Sequence, residues 1–259
     1  MDNSTRVITL IFLTITLAAL AILTQFARRK RSAFPLRPLP GYSAIPLMIG
    51  ESIEAARPLH LSFGGAGVGG EATALAMACA EMVLQVARRT AIGIETPIVS
   101  GSDPTFLPLA YGTLYRAYQS RQHVDRVSAT AVRWYPSLQR TGGLAFAAAL
   151  TGTAGAERVS GNILFGSYGA EMALLLDAGS RGQRRSVAGS DQLIGQAVAF
   201  GMATTPIIGE EMFVAGAYLG DDAGTLASAV TIDVLRWLVI GGMVTAIGYV
   251  IATRLFGGG

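Results

Sequence analysis

A chain of 259 residues is long enough for one large domain or two small ones. Its hydrophobic share of 51% and mean hydropathy of +0.46 are high for a water-soluble protein, and only 14% of residues are charged. The net charge of +3 is a small excess of arginine, too little for a nucleic-acid-binding face, so no nucleic-acid partner is expected.

In chain order, the stretch from Val7 to Ala27 carries no charge and reaches the roughly 20 residues needed to cross a bilayer's hydrocarbon core. Arg28, Arg29, Lys30 and Arg31 follow the run instead of preceding it, which predicts a retained transmembrane anchor with a basic stop over residues 1–31, not a cleaved signal peptide. Residues 32–49 hold Pro35, Pro38, Pro40 and Pro46, a pattern that forbids a continuous helix and predicts an extended stalk.

Residues 50–225 alternate two textures. Short apolar runs bounded by glycine predict strands over 58–63, 96–100, 132–136, 162–166, 185–189 and 205–209. Longer helical patterns lie between them, over 72–89, 105–121, 143–156, 170–180, 191–203 and 210–219. The only cysteine, Cys79, excludes an internal disulfide and reads as a small core residue of the first of these helices. The expected fold is α/β: a Rossmann-like, doubly wound, mostly parallel sheet of about six strands, flanked by an N-terminal and a C-terminal transmembrane helix. The stretch GLAFAAALTGTAGA (143–156) has no charged residue, so it is buried in the domain or against another subunit, and a homo-oligomer is expected.

The C-terminal span is expected over 234–255, with Trp237 and Tyr249 at the interfaces. Stalk-side bases Arg28, Arg29, Lys30, Arg31 and Arg37 outnumber Arg6 and Arg254 across the membrane. The positive-inside rule therefore predicts a two-span protein with a cytoplasmic central domain and both termini outside.

Ligands of open α/β sheets gather at the carboxyl ends of the strands. There the candidate ligand-binding residues are Gly64, Gly65 and Gly67, then Ser102 and Asp103, Ser167 and Glu171, Ser190, and Glu210 with Glu211. Each acid also suits a helix N-cap or first turn. The adjacent carboxylates of Glu210 and Glu211 could instead bind a ribose, coordinate a divalent ion or act as a base. Gly65, Gly67 and Gly70 have the G-x-G-x-x-G spacing of a dinucleotide loop, but helical periodicity starts only near Ala72, and Glu71 puts negative charge where a phosphate belongs. A flexible loop that lets backbone or ligand approach closely is the better reading. No Walker-type loop, zinc spacing or G-x-S-x-G elbow is present, so no metal site, cofactor or catalytic residue is identified, and the sequence does not decide whether the protein is an enzyme.

The stretches PLHLSFGGAG, SGSDPTFLPLA, FGSYGAEMALLLDAG, VAGS and above all IIGEEMFVAGAYL resemble a bacterial, membrane-anchored family, domain of unknown function 6754. The resemblance implies an inner-membrane location and marks Glu171, Gly209, Glu210 and Glu211 as family-motif positions, but it implies no reaction. The expected function is sensing or scaffolding, with a small ligand or a protein bound at the strand carboxyl ends. The alternatives are a nucleotide- or metal-dependent enzyme using Glu210 or Glu211, and a structural, self-associating membrane protein.

Overall fold

Each of the six glycine-bounded apolar runs forms a strand in the computed structural model, which describes residues 37–137, 143–156 and 159–220 and scattered helical positions within 7–25 and 225–247. The strands are β1 (His60–Gly64), β2 (Ile98–Gly101), β3 (Val132–Trp134), β4 (Gly161–Ser167), β5 (Arg185–Ser190) and β6 (Thr205–Ile207). They make one sheet in the order β3-β2-β1-β4-β5-β6, with every pairing parallel. Strand order reverses between β1 and β4, which is the switch point of a doubly wound, Rossmann-like domain. Both central strands are buried at every residue, as a sheet covered on two faces requires.

The helices are α1 (Pro40–Glu54), α2 (Thr73–Thr90), α3 (Phe106–Gln119), α4 (Gly143–Thr151), α5 (Met172–Arg181), α6 (Leu193–Met202) and α7 (Ala215–Leu219). A π turn, Gly152–Ala156, continues α4, and a 3₁₀ turn, Gly209–Val214, precedes α7. On one face of the sheet Leu164 and Ala188 pack with Phe146 and Leu150 of α4, Met172 and Leu175 of α5 and Ala199 of α6. On the other, the Phe63 ring meets Phe106 of α3 at 5.5 Å. There too the Cys79 thiol of α2 donates to the Phe165 carbonyl at 3.0 Å, and burial pushes its pKa well up, which keeps it an inert core group.

The expected extended stalk is corrected over its described part. From Pro40 onward the chain is helix α1, with Pro40 in its first turn and Pro46 in its interior. A first-turn proline lacks only an amide that would have no partner, whereas an interior one costs roughly 3 kcal/mol. Burial of Tyr42, Ile45, Met48 and Ile49 offsets that, at about 1.5–3 kcal/mol for each large apolar side chain. Residues 28–36, with the basic run, lie outside the described residues.

The chain divides into two compact units, Arg37–Gly220 and a second one formed by its two ends, 1–36 and 221–259. The two expected membrane spans fall in that second unit and lie partly outside the described residues. Where described, as at 13–19 and 239–244, they are helical. Among the described residues no helix is long and apolar enough to cross a membrane. That overturns the expected multi-pass inner-membrane location with a cytoplasmic domain and outside termini.

Candidate functional site at the carboxyl edge

In a parallel sheet all strands end on the same edge, so the loops after β2, β1, β4, β5 and β6 stand side by side in that order. The β1 loop crosses the switch point. Gly64 has φ +56°, and a Cβ there would overlap the Ser167 carbonyl and the Tyr168 ring, so only glycine fits. The Gly65 amide donates to the Ser167 carbonyl at 2.8 Å, and the Ala66 amide to the Phe63 carbonyl at 3.0 Å. Further on, the Val68 amide donates to the Thr105 hydroxyl at 2.7 Å, and the Gly69 and Gly70 amides both donate to the Thr73 hydroxyl at 3.0 Å. Gly67 lies under the Asp103 carboxylate, which a Cβ at that position would overlap. A pyrophosphate cradle needs free amides and no fixed anion. Here those amides serve the protein itself, and a carboxylate stands over the central glycine.

The β4 and β5 loops are tied through one hydroxyl. Ser190 Oγ donates to the Tyr168 carbonyl at 2.7 Å and accepts from the amides of Tyr168 and Gln192, each at 3.1 Å. Gln192 Nε2 donates to Ser167 Oγ at 3.2 Å, and Glu171 Oε1 accepts the Gly169 amide at 2.7 Å. Across the switch point, the Ser102 amide and hydroxyl both donate to the Gly64 carbonyl, at 2.9 and 3.1 Å. Ser102, Ser167, Glu171 and Ser190 are therefore brought together and buried, with their polar atoms turned on the loops.

Asp103 remains half-exposed. Its Oδ1 accepts from the Thr105 amide at 2.8 Å and the Thr105 hydroxyl at 2.6 Å. This local turn leads into α3, which starts at Phe106.

Glu210 and Glu211 belong to a different place. They follow β6 at the end of the strand row, and β5 stands between β6 and β4, whose following loop carries Glu171. Glu211 Oε1 accepts from Arg37 Nη2 at 2.5 Å, and its backbone carbonyl accepts the Tyr42 hydroxyl at 2.6 Å. The Tyr42 ring stacks on Tyr218 at 5.0 Å, and the Tyr218 hydroxyl donates to the Arg37 carbonyl at 2.6 Å. Glu211 therefore clasps the start of α1 and is not poised as a base. Glu210 is exposed beside it.

Sequence reasoning took His60 as one residue of an apolar strand and missed its partners. His60 Nδ1 lies 2.9 Å from Asn162 Oδ1, and Nε2 lies 2.8 Å from Ser100 Oγ. Asn162 Nδ2 donates to the Ala154 carbonyl at 3.0 Å, which turns Oδ1 toward the imidazole. Assigned from that network, Nδ1–H donates to Asn162 and Nε2 accepts the Ser100 hydroxyl proton. Ser, His and Asn are the residue types of a nucleophilic triad. With His60 and Ser100 wholly buried, the chain instead joins β2, β1 and β4. Its signal was His60 and Ser62 at alternate positions of β1 with single polar residues on its neighbours, legible only once register pairs His60 with Asn162 and Ser62 with Ser100. Tyr168, also missed, lies fully buried against Gly64 with no hydrogen-bond partner for its hydroxyl, and burial pushes its pKa up. Among the described residues, no group of three or more His, Cys, Asp or Glu is placed to hold a metal ion.

Fold and site together define a Rossmann-like, doubly wound α/β domain whose switch point is closed by its own loop side chains. The chain belongs to the family described as a domain of unknown function, DUF6754, which matches residues 1–256. No curated protein and no solved structure matches it.

Proposed function

We propose that the protein works by binding, as a scaffold, and that its carboxyl sheet edge receives a protein segment with one apolar face and basic residues. The surface left after the loops close on one another carries this reading. On α6, Leu193 is 84% exposed, Ile194 62% and Phe200 75%. With Ala197 and Gly201 these residues share one side of the helix, and Val68 is exposed on the β1 loop. Exposed apolar residues gathered in this way mark interaction surfaces.

The charge on the loops after β1, β2, β4 and β5 is of one sign. Glu71 and Asp191 are exposed and Asp103 is half-exposed, while the loops 64–72, 102–105, 167–171 and 190–193 contain no Lys or Arg. Such a surface repels phosphates and attracts a basic partner. The engaged loop amides favour the same reading over a nucleotide ligand.

The test is titration of the full-length protein against fluorescent amphipathic helical peptides, one Leu/Lys-based and one Leu/Glu-based. The Lys peptide is expected to bind and the Glu peptide not. Leu193→Ser with Phe200→Ser, and separately Asp103→Asn with Asp191→Asn, should each weaken binding about tenfold or more, the range expected for anchor and charge losses. Indifference of both pairs sinks the proposal. Thermal stabilisation by a dinucleotide that is abolished in Gly67→Val would restore the glycine loop as a nucleotide site.

A further inference from the structure

Helices α4, α5 and α6 cover β4 and β5 on one face of the sheet, with α5 between the other two. Their inner sides form the core, yet their outer sides are apolar as well. On α6 the exposed Leu193, Ile194 and Phe200 are followed by Met202, 45% exposed. Leu174 is exposed on α5, and Leu144 on α4, with Ala145, Ala148 and Ala149 exposed beside it. Neither α4 nor α6 contains a charged residue, and the two on α5, Asp177 and Arg181, pair with each other at 2.6 Å. Three adjoining helices thus present one outer face whose centre is uncharged.

The two ends of that face differ in sign. Helices α5 and α6 start at the carboxyl edge of the sheet and finish at its amino edge, as crossovers between parallel strands must. Asp191 is exposed just past the carboxyl end of β5 and makes no ion pair among the described residues. Arg181, Arg184 and Arg185 gather at the amino end of the same strand. Asp177 answers Arg181, and Glu51 answers Arg185 at 3.2 Å, both in surface pairs that hold little energy. Arg184 makes no ion pair among the described residues, so this end keeps an uncompensated positive charge.

We propose that this face pairs with the same face of a second copy of the chain, the two helix layers antiparallel about a two-fold axis that crosses the strands. The inference rests on the docking surface proposed above and names its occupant. The stretch from α5 into β5 of a second copy supplies the apolar side and the basic residues which that surface calls for. Asp191 and Arg184 flank β5, so reversing the strand direction sets Asp191 of each copy over the basic end of the other, twice. A two-fold contact sets one patch against itself, and a patch of a single sign would repel its own copy. A neutral centre between ends of opposite sign is complementary to itself once reversed.

The test is sedimentation of the full-length protein, unmutated and with either charge reversed. The unmutated protein is expected to dimerise in the micromolar range. Arg184→Glu and Asp191→Arg should each weaken self-association by about tenfold or more, because like charges then face each other twice. Mixed in equal amounts, the two variants should regain a dimer with one copy of each, since every facing pair is again of opposite sign. A variant that had merely misfolded could not be recovered in this way. The proposal is overturned if the unmutated protein stays monomeric up to about 100 µM, a concentration that reveals even weak specific pairing. It is equally overturned if either reversal dimerises as well as the unmutated protein, or if mixing recovers nothing. The Lys-peptide titration on the same preparation separates the two readings. A monomer that binds the peptide overturns the second copy alone, and one that ignores it overturns the docking surface too.

Discussion

The two edges of this one sheet solve the same geometrical problem in opposite ways. At the carboxyl edge the loops after β1, β2, β4 and β5 are short and rich in Gly and Ser, and they exchange hydrogen bonds until Ser102, Ser167, Glu171 and Ser190 are buried. At the amino edge the approach to β2 and β3 carries Arg126, Glu95, Ser128 and Thr130, exposed side chains around a cavity of about 460 Å³. Doubly wound sheets usually bind at the carboxyl edge because their loop amides are free there. Where those amides are already engaged, topology still sets where the loops are, but it no longer decides what they bind. Chemistry left unsatisfied is the better guide.

The contrast can be broken most forcefully at Gly64. Its φ of +56° and the overlap of any Cβ with the Ser167 carbonyl predict that Gly64→Val destabilises the protein by about 4 kcal/mol, as strain and overpacking combine. Urea unfolding measures this, and a loss under about 1 kcal/mol would mean the switch point is not closed as described. Ser190→Ala comes next. It strands the amides of Tyr168 and Gln192 and the Tyr168 carbonyl, so a loss of about 2 kcal/mol is expected in the same assay.

A smaller effect separates the two edges by pH. Burial raises the pKa of Tyr42, Tyr118 and Tyr168. The unfolded phenols release their protons near pH 10, while the folded ones still hold theirs. The unfolded state then binds fewer protons, so stability is intact below about pH 10 and falls as pH rises above it, by up to about 1.4 kcal/mol per pH unit for each tyrosine. Tyr168→Phe, which removes an unpartnered hydroxyl, should leave neutral-pH stability unchanged or slightly raised and flatten the alkaline decline. A steeper decline in that variant would contradict the assignment. The smallest effect is at the amino edge, where Arg126→Gln should change stability by no more than about 0.5 kcal/mol, because an exposed side chain with one carbonyl bond holds little of the fold.

Much of the architecture was legible because strand burial leaves a local trace. The run NILFG lies in a strand buried at every residue, and TPIIG bounds one at the sheet edge. Helix α1 was not legible, since Pro46 argues locally for extension and only the packing of Tyr42, Ile45 and Met48 overrules it. The expected membrane location is overturned because, among the described residues, no helix is long and apolar enough to cross a membrane. At the candidate site the glycines and acids marked where the loops lie. What the acids do was hidden: Glu211 meets Arg37 from 174 residues away, and the Tyr168 amide and carbonyl that Ser190 binds lie on another strand's loop. The amino-edge cavity left no motif at all, because it is assembled from unremarkable polar residues that only the sheet brings together.

The clasp of Arg37 and Tyr42 on Glu211 and Tyr218 bears on how the domain is made. Its earliest helix rests on its last two turns, so α1 leaves the ribosome long before the surface it needs exists. Until Tyr218 has emerged, Tyr42, Ile45 and Met48 have no complete partner, and contacts of such long sequence separation are slow to close. The domain therefore completes itself only once Tyr218 has emerged, and a nascent chain halted before Glu211 would present that apolar helix to chaperones.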